Sequence, residues 1–165
     1  TTRNGLAAFD STTGIATAWD PNTNNAVSAL AISGSNVYAG GTFTTINGGT
    51  TRNYLASIDI TTGTATAWNP NMTGSTVTAL AINGSNIYAG GTYTTINGTT
   101  TRNNLAAIDI TTGTTTAWDP NMSGDVLSLV ISGGYIYAGG TFTSAGNRLS
   151  KSYSVFNLGT GLLLP

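Results

Sequence analysis

The chain repeats itself at a spacing of 49 or 50 residues, and this periodicity limits its fold more than any other feature. Each repeat carries an arginine in TRN, a tyrosine in YAGGT and a tryptophan after alanine; these are Arg3, Arg52 and Arg102, Tyr38, Tyr88 and Tyr137, and Trp19, Trp68 and Trp118. Residues 51–72 and 101–122 differ at only four positions, which indicates recent duplication of one unit. Near-identical units of this length predict an array in which each unit buries its apolar surface against its neighbours.

Within a unit, apolar residues alternate with a period of two over short stretches, which is typical of β-strands. In the middle unit the predicted strands are VTALAI (77–82), IYAGGTY (87–93), NLAAIDI (104–110) and TTTAW (114–118). The tight turns NGSN and TTG close two hairpins, and longer polar loops make the other connections. No stretch shows a sustained helical period, so the sequence predicts an all-β protein.

Four short antiparallel strands per unit match the blade of a β-propeller. The predicted fold class is therefore all-β, with about three and a half β-propeller blades of four strands each. We expect an outer half blade at 1–19 and complete blades at about 27–68, 77–118 and 126–165. A right-handed β-helix is the main alternative, but it needs parallel strands, and the hairpin turns argue against it. The third unit departs from the pattern after residue 143, which leaves its last two strands less well defined.

The composition excludes several classes of chemistry. The chain has no Cys, His or Glu, and its charged residues are six Asp, four Arg and one Lys. A thiolate nucleophile, a Cys/His zinc site and a Ser-His-Asp triad are therefore ruled out. The net charge of -1 gives no electrostatic attraction for nucleic acid, and no apolar run is long enough to cross a bilayer. We expect no catalytic residue, no metal, no cofactor, no nucleic-acid partner and no membrane insertion.

The repeats resemble a bacterial family of secreted β-propeller repeats that was first catalogued as a domain of unknown function. The resemblance is carried by YAGGTFTTING, by LASID or LAAID before a TTG turn, and by TAW before NPN or DPN, and it covers nearly the whole chain. It implies a propeller fold, export to the medium or the cell surface, and a binding or scaffolding role. It implies no catalytic residue.

Strand order predicts that the long polar loops gather at one end of the array and the tight turns at the other. The long-loop end is where we expect binding residues, because loops on a rigid scaffold commonly carry them. The candidates are Arg3, Arg52, Arg102, Asn53, Asn103, Trp19, Trp68 and Trp118. If the indole rings are exposed, they offer surfaces on which a polysaccharide can stack, with an equivalent site in each unit.

The same arginines and tryptophans also have a structural interpretation. Each arginine is a candidate to tie adjacent blades together through an Asp or a carbonyl of the neighbouring blade. Each tryptophan is a candidate to pack between blades, because a large ring near a blade edge buries much area.

Two further recurring features predict local structure. Asp10, Asp59 and Asp109 precede tight turns and are expected to cap them, with calcium binding as the alternative. The glycine pairs at 40–41, 90–91 and 139–140 predict a close approach of blades or a β-bulge. A phosphate-binding loop is excluded there, because neither a helix nor a lysine follows.

Both ends of the sequence interrupt the pattern, and this bears on partners. Thr1 falls after the position of a YAGG hairpin, and Pro165 falls one residue before a tryptophan is due. Three and a half blades do not close a ring, since a propeller needs at least four. We expect further blades of a longer chain, which the missing tryptophan favours, or other copies of this chain.

Three functions follow as hypotheses. The first is a non-catalytic structural or assembly module outside the cell. The second is a module that binds carbohydrate or another surface ligand through the long-loop end. The third is an enzyme acting on polysaccharide, which needs one unit to break the symmetry. Only 144–158 does so, through Arg148, Lys151 and Tyr153, and ordinary divergence explains that segment better.

Overall fold

A computed structural model describes residues 2–165, and these form strands and loops without a helix. The all-β prediction is confirmed. The strands are β1 Val27–Ser33, β2 Asn36–Gly41, β3 Thr45–Ile46, β4 Thr50–Thr51, β5 Leu55–Asp59, β6 Thr73–Asn83, β7 Asn86–Ile96, β8 Thr100–Thr101, β9 Leu105–Asp109, β10 Val126–Ser132, β11 Tyr135–Gly140, β12 Ser144–Ala145, β13 Arg148–Leu149 and β14 Tyr153–Asn157. It follows that this range also holds no helix long and apolar enough for a membrane span.

The strands form three antiparallel sheets of the same design. Sheet I is β1-β2-β5, sheet II is β6-β7-β9 and sheet III is β10-β11-β14. Short pairs lie beyond the second strand of each sheet: β3 with β4, the end of β7 with β8, and β12 with β13. Within residues 2–165 no hydrogen-bonded ladder joins one of the three sheets to another. Side chains of sheet II pack against sheet I on one side and sheet III on the other, so the sheets form a row.

The fourth predicted strand of each unit is shorter than expected. In sheet II the segment 114–118 contributes a single bridge, Ile108 to Thr115, flanked by hydrogen bonds from Asp109 N–H to Thr114 O and from Thr116 N–H to Ala107 O. The same bridge recurs in sheets I and III and in the N-terminal strand pair, by which we mean residues 6–17. Thr1, which the predicted half blade 1–19 includes, lies outside the described residues.

The third unit keeps the strand pattern although its sequence departs from it. β14 pairs with β11 in the register that β5 and β9 adopt, and Phe156 bridges Leu163. Burial alternates along YSVFN, with Ser154 and Phe156 buried and Tyr153 and Val155 less so, which is the period of two expected of a strand.

The turns follow from the residues that the sequence places there. Asp59 Oδ1 accepts hydrogen bonds from the N–H groups of Thr61 and Thr62 at 3.0 and 2.7 Å, and Asp10 and Asp109 do the same one unit away. The predicted turn capping is confirmed. In the third unit Asn157 takes this role. These hydrogen bonds to the charged form, those from Thr62 first, lower the pKa of the Asp59 carboxyl below its ordinary value.

The apolar core is divided into three clusters, each lying between neighbours in the row. Between sheets I and II, Tyr38 and Leu55 pack with Val77. Between sheets II and III, Tyr88 and Leu105 occupy the equivalent places. The third cluster joins the N-terminal strand pair to sheet I. Each sheet therefore depends on its neighbours for burial, as expected for a repeat array.

The glycine pairs make this packing possible, and both parts of their prediction are confirmed. A Cβ atom on Gly40 would lie 2.5 Å from Val77 Cγ1 of the next sheet. A Cβ atom on Gly41 would lie 2.1 Å from the carbonyl oxygen of Ala26, beside the bulge where β1 shifts register. The missing side chain at Gly40 leaves room for the neighbouring sheet, and the missing side chain at Gly41 leaves room for the chain that enters β1.

Candidate functional site: the long loops and the open faces

Each repeat arginine braces its own unit. Arg52 donates from Nη1 to Thr51 O and from Nη2 to Thr66 O, and so connects the loop before β5 to the chain beyond it. Arg102 makes the same two bonds to Thr101 and Thr116. The prediction that the arginine bonds to a neighbouring blade is therefore wrong, because these partners lie in the same repeat. Each arginine bonds within its own repeat because the segment that carries the threonine carbonyl, 14 residues further along the chain, lies beside it.

The charge on the arginine is balanced in two of the three repeats. Arg3 and Arg102 each lie 3.6 Å from a carboxylate oxygen, that of Asp20 and that of Asp119. In the remaining repeat the equivalent residue is Asn69, so Arg52 has no such carboxylate in its own repeat. Partial burial lowers the pKa of Arg52 below its ordinary value.

The candidate asparagines are also engaged in local structure. Asn53 Nδ2 donates to Asn71 Oδ1 at 3.0 Å, and Asn103 Nδ2 donates to Asn121 Oδ1 at 2.8 Å. Each repeat thus brings its arginine and asparagine together beside the turn that leads to the next unit. Both side-chain types are half-buried. A binding role for them stays a prediction.

The tryptophans join consecutive units. Trp68 Nε1 donates to Asp109 O of sheet II at 3.0 Å, and its ring packs edge-on against Tyr38 with centroids 5.2 Å apart. Trp118 contacts Tyr88 and Phe156 in the same way. Packing between units is therefore observed. The alternative that the rings are exposed for sugar stacking is contradicted, because each ring reaches the tight turn of the following unit.

Burial limits what the rings can bind. Trp19 and Trp68 are buried and Trp118 is half-buried, so these indoles do not present open faces to a sugar. Their Nε1–H groups are already satisfied by carbonyl oxygens of the next unit.

A recurring asparagine in the long loop was not among the residues predicted from the sequence. Asn47 Nδ2 donates to Gly63 O at 2.8 Å, and its Oδ1 accepts from Ala65 N–H at 2.7 Å. Its own N–H donates to Pro21 O at 2.7 Å, so one residue ties the loop to both the tight turn and the preceding unit. Asn97 repeats the arrangement. The recurrence of ING at the same place in two repeats was the available signal.

The segment that breaks the repeat symmetry shows no convergent chemistry. Arg148 Nη1 lies 3.5 Å from Leu163 O, while Ser150 Oγ bonds to Tyr153 O and to Ser154 Oγ. In residues 2–165 no three acidic side chains come close enough to hold a metal ion.

Sheet III ends the row with exposed apolar side chains, which we call the C-terminal open face: Val130, Tyr137 and Tyr153. Tyr137 is 42% exposed, whereas the equivalent Tyr38 and Tyr88 are 2% and 6% exposed between sheets. Tyr153 takes the register position of Leu55 and Leu105, and it is 69% exposed where those leucines are fully buried.

The other end of the row has a matching N-terminal open face: Phe9, Leu30 and Ile32. Phe9 is 64% exposed, although the equivalent Ile58, Ile108 and Phe156 are buried. Leu30 and Ile32 are exposed too, whereas the equivalent residues of sheets II and III pack against a core cluster.

Comparison with known proteins adds a fold likeness and no family. No family model matches the chain, and no curated protein matches it. Among solved structures, the chain is similar to the computationally designed Ika4 protein, with 23% identity, a TM-score of 0.57 and coverage of 86% of this chain and 72% of the other. The computationally designed Ika8 protein is 18% identical with a TM-score of 0.44, over 87% of this chain and 62% of that one. The comparison with Ika4 supports the arrangement of several small antiparallel sheets in an all-β chain.

Proposed function

We propose that this chain is a non-catalytic structural repeat module, built of β-propeller-type blades, that extends its row by packing further units of the same kind on its two open faces. The observation that carries the proposal is the exposure of Tyr137, at a position that is buried in both preceding sheets. The third unit keeps its strands, so this exposed face is as well formed as the buried ones.

The interfaces inside the chain indicate what would cover these faces. Phe156 packs on Trp118 of the preceding unit with ring centroids 5.4 Å apart, and it lies in one cluster with Tyr88. Phe9 is the equivalent of Phe156 in the N-terminal strand pair, and Tyr137 is the equivalent of Tyr88. The C-terminal open face of one copy is therefore suited to the N-terminal open face of the next.

The chemistry of the two faces favours this contact over a polar ligand. Their defining residues are aliphatic or aromatic, and the chain as a whole has few charges. Contiguous apolar surface on a soluble protein commonly marks a protein–protein contact. Since the two faces differ, the contact is head-to-tail and propagates unless a rotation closes it.

The proposal is tested by sedimentation velocity of the 165-residue chain over a range of concentrations. We expect association that increases with concentration. Tyr153→Asp, on the C-terminal open face, and Phe9→Asp, on the N-terminal one, should each reduce it strongly because a charge is buried in the contact. Thr99→Asp, in an exposed loop away from both faces, is the matched control and should associate as the unchanged chain does.

Mixing the two blocked variants gives a sharper result. Each retains one intact face, so Tyr153→Asp and Phe9→Asp together should form a dimer that goes no further. A chain that is monomeric at every concentration, or a mixture that fails to pair, would overturn the proposal.

A further inference from the structure

The N-terminal strand pair leaves one edge of a strand without a partner. Ala8 O accepts from Thr17 N–H at 2.8 Å, and Asp10 N–H donates to Ile15 O at 2.9 Å. The backbone N–H and C=O groups of Ala8 and Asp10 therefore point to the second segment of the pair. Backbone groups alternate in direction along an antiparallel strand, so those of Ala7 and Phe9 point to the opposite edge. Within residues 2–165 no strand pairs with that edge.

The other sheets show what occupies the equivalent edge. In sheet I, Ala56 and Ile58 are the equivalents of Ala7 and Phe9, and they pair with Ala39 and Val37 of β2. β2 in turn pairs with β1, so the position is filled by a two-stranded hairpin. The N-terminal strand pair has the outer part of such a sheet and leaves a slot for one hairpin.

The walls of this slot are apolar and partly uncovered. Leu30 and Ile32 are 55% and 64% exposed on the side of sheet I that faces the slot. Val27 is only partly buried, although the equivalent Val77 and Val126 have no exposed surface. The equivalents of all three residues are fully or partly buried in the interfaces where a hairpin is present.

At two positions the slot selects particular residues of the hairpin that fills it, one opposite Val27 and one beside Trp19. Val77 and Val126 each press against a glycine of the preceding hairpin, since a Cβ on Gly40 or Gly90 would lie within 2.6 Å of the valine. A hairpin in the slot must therefore carry glycine opposite Val27.

The second position concerns the tyrosine that packs against each repeat tryptophan. Trp68 and Trp118 each pack edge-on against a tyrosine of their own sheet, and that tyrosine precedes the close-contact glycine by two residues. Trp19 has no such tyrosine among residues 2–165. A tyrosine followed by alanine and glycine satisfies both positions at once.

We infer that the edge of Leu6–Asp10 binds a two-stranded β-hairpin of this repeat's own pattern, whose second strand reads Tyr-Ala-Gly-Gly and pairs antiparallel with it. The backbone edge supplies the hydrogen bonds, and Val27, Leu30 and Ile32 supply the apolar contact. The inference divides the N-terminal open face between two partners: the C-terminal open face of another copy contacts Phe9, and the hairpin covers Leu30 and Ile32. It deepens the proposed function and rests on that function only for its biological setting.

The experiment uses the full chain carrying Tyr153→Asp, which blocks the C-terminal open face and so limits self-association. A fluorescently labelled peptide of residues 76–91, which is the β6–β7 hairpin TVTALAINGSNIYAGG, is titrated with this protein and followed by anisotropy. We expect saturable binding. The same peptide with Gly90→Ala should bind at least about tenfold more weakly, because its extra methyl group meets Val27.

Two further protein variants test the location of the site. Ala7→Pro removes a backbone donor from the open edge, and Ile32→Asp places a charge on an exposed wall, so each should weaken binding at least about tenfold. Thermal unfolding shows first that each variant is folded. No saturable binding, equal binding of the Gly90→Ala peptide, or binding unaffected by both protein variants would overturn the inference. Any of these results leaves the head-to-tail test of the proposed function standing, because that test uses no peptide.

Discussion

Gly90 of sheet II and Val126 of sheet III lie so close together that a Cβ atom on the glycine would come within 2.6 Å of Val126 Cγ1. This contact recurs between Gly40 and Val77 one interface earlier. A single hydrogen atom in place of a side chain thus sets the spacing between neighbouring sheets. The spacing matters because the core lies between the sheets rather than inside any one of them.

Gly90→Ala should lower the free energy of unfolding by about 1–3 kcal/mol, which is typical of overpacking in a buried contact. Urea unfolding measures the change. In a Val126→Ala background the same substitution should cost much less, because the clashing methyl group is gone. Gly139→Ala is the matched control: it lies on the C-terminal open face, where the nearest atom is Oγ of the short Ser128 side chain, which can turn away about its own χ1 bond. Equal costs at positions 90 and 139 would contradict the role of the valine.

The turn carboxylates should make stability depend on pH in the acid range. Hydrogen bonds from Thr62 and Thr112 lower the folded-state pKa of Asp59 and Asp109 below the ordinary value of 3.8. A depressed pKa means that the folded protein is favoured above the unfolded-state pKa, and that this contribution is lost as the pH falls through the lower folded-state value.

We therefore expect the melting temperature to fall as the pH drops below about 4, in proportion to the number of such carboxylates. Asp59→Asn with Asp109→Asn should flatten this dependence while keeping the turns, because Asn157 already caps the third one. Thermal melts across the acid range provide the measurement. An unchanged slope in the double variant would show that other groups are responsible.

Asn69 is the one place where the repeat leaves its arginine without the carboxylate that Arg3 and Arg102 have. Asn69→Asp should stabilise the chain by up to about 1 kcal/mol at low salt, and less at high salt, because the pair is only partly buried. The change is compatible with the turn, since Asp119 Oδ1 accepts from Asn121 N–H as Asn69 Oδ1 does from Asn71 N–H. Asp119→Asn is the reciprocal control and should destabilise by a similar amount. Stabilisation that does not depend on salt would argue against an ion pair.

Asn47 combines a left-handed backbone with side-chain hydrogen bonds, and two substitutions separate these contributions. Its φ is 48°, a conformation that alanine adopts at a cost of about 1 kcal/mol. Asn47→Gly retains the backbone freedom and loses only the side-chain bonds, those to Gly63 and Ala65 and a longer one to Pro21 O at 3.4 Å, so we expect a loss of roughly 1–3 kcal/mol. Asn47→Ala should cost more than Asn47→Gly. Chemical unfolding of both variants tests the order, and equal losses would assign the whole effect to the side chain.

Local patterns in the sequence were sufficient for the strands and turns and insufficient for the contacts between units. The period of two located β6, β7 and β9, and the chemistry of Asp before TTG located the caps, because both depend on residues close together along the chain. The arginine partner lies 14 residues along the chain and the Trp68 partner lies 41, so both depend on how separate segments fold back on one another. Near-identical repeats add to the difficulty, since any partner in one unit has an equivalent in the next.

Trp68→Phe tests how much of the coupling between sheets passes through one indole. Trp68 Nε1 donates to Asp109 O of the next sheet, and phenylalanine keeps an aromatic ring against Tyr38 while removing that donor. The Asp109 carbonyl would lose a partner in a partly buried site, so we expect a loss of about 1–3 kcal/mol in the free energy of unfolding. Hydrogen exchange adds the location: exchange should accelerate in sheets I and II, which the indole joins, more than in sheet III. Trp118→Phe, at the half-buried equivalent, should shift that effect to sheets II and III. A uniform acceleration across all three sheets in both variants would show that the indoles support global stability rather than a particular interface.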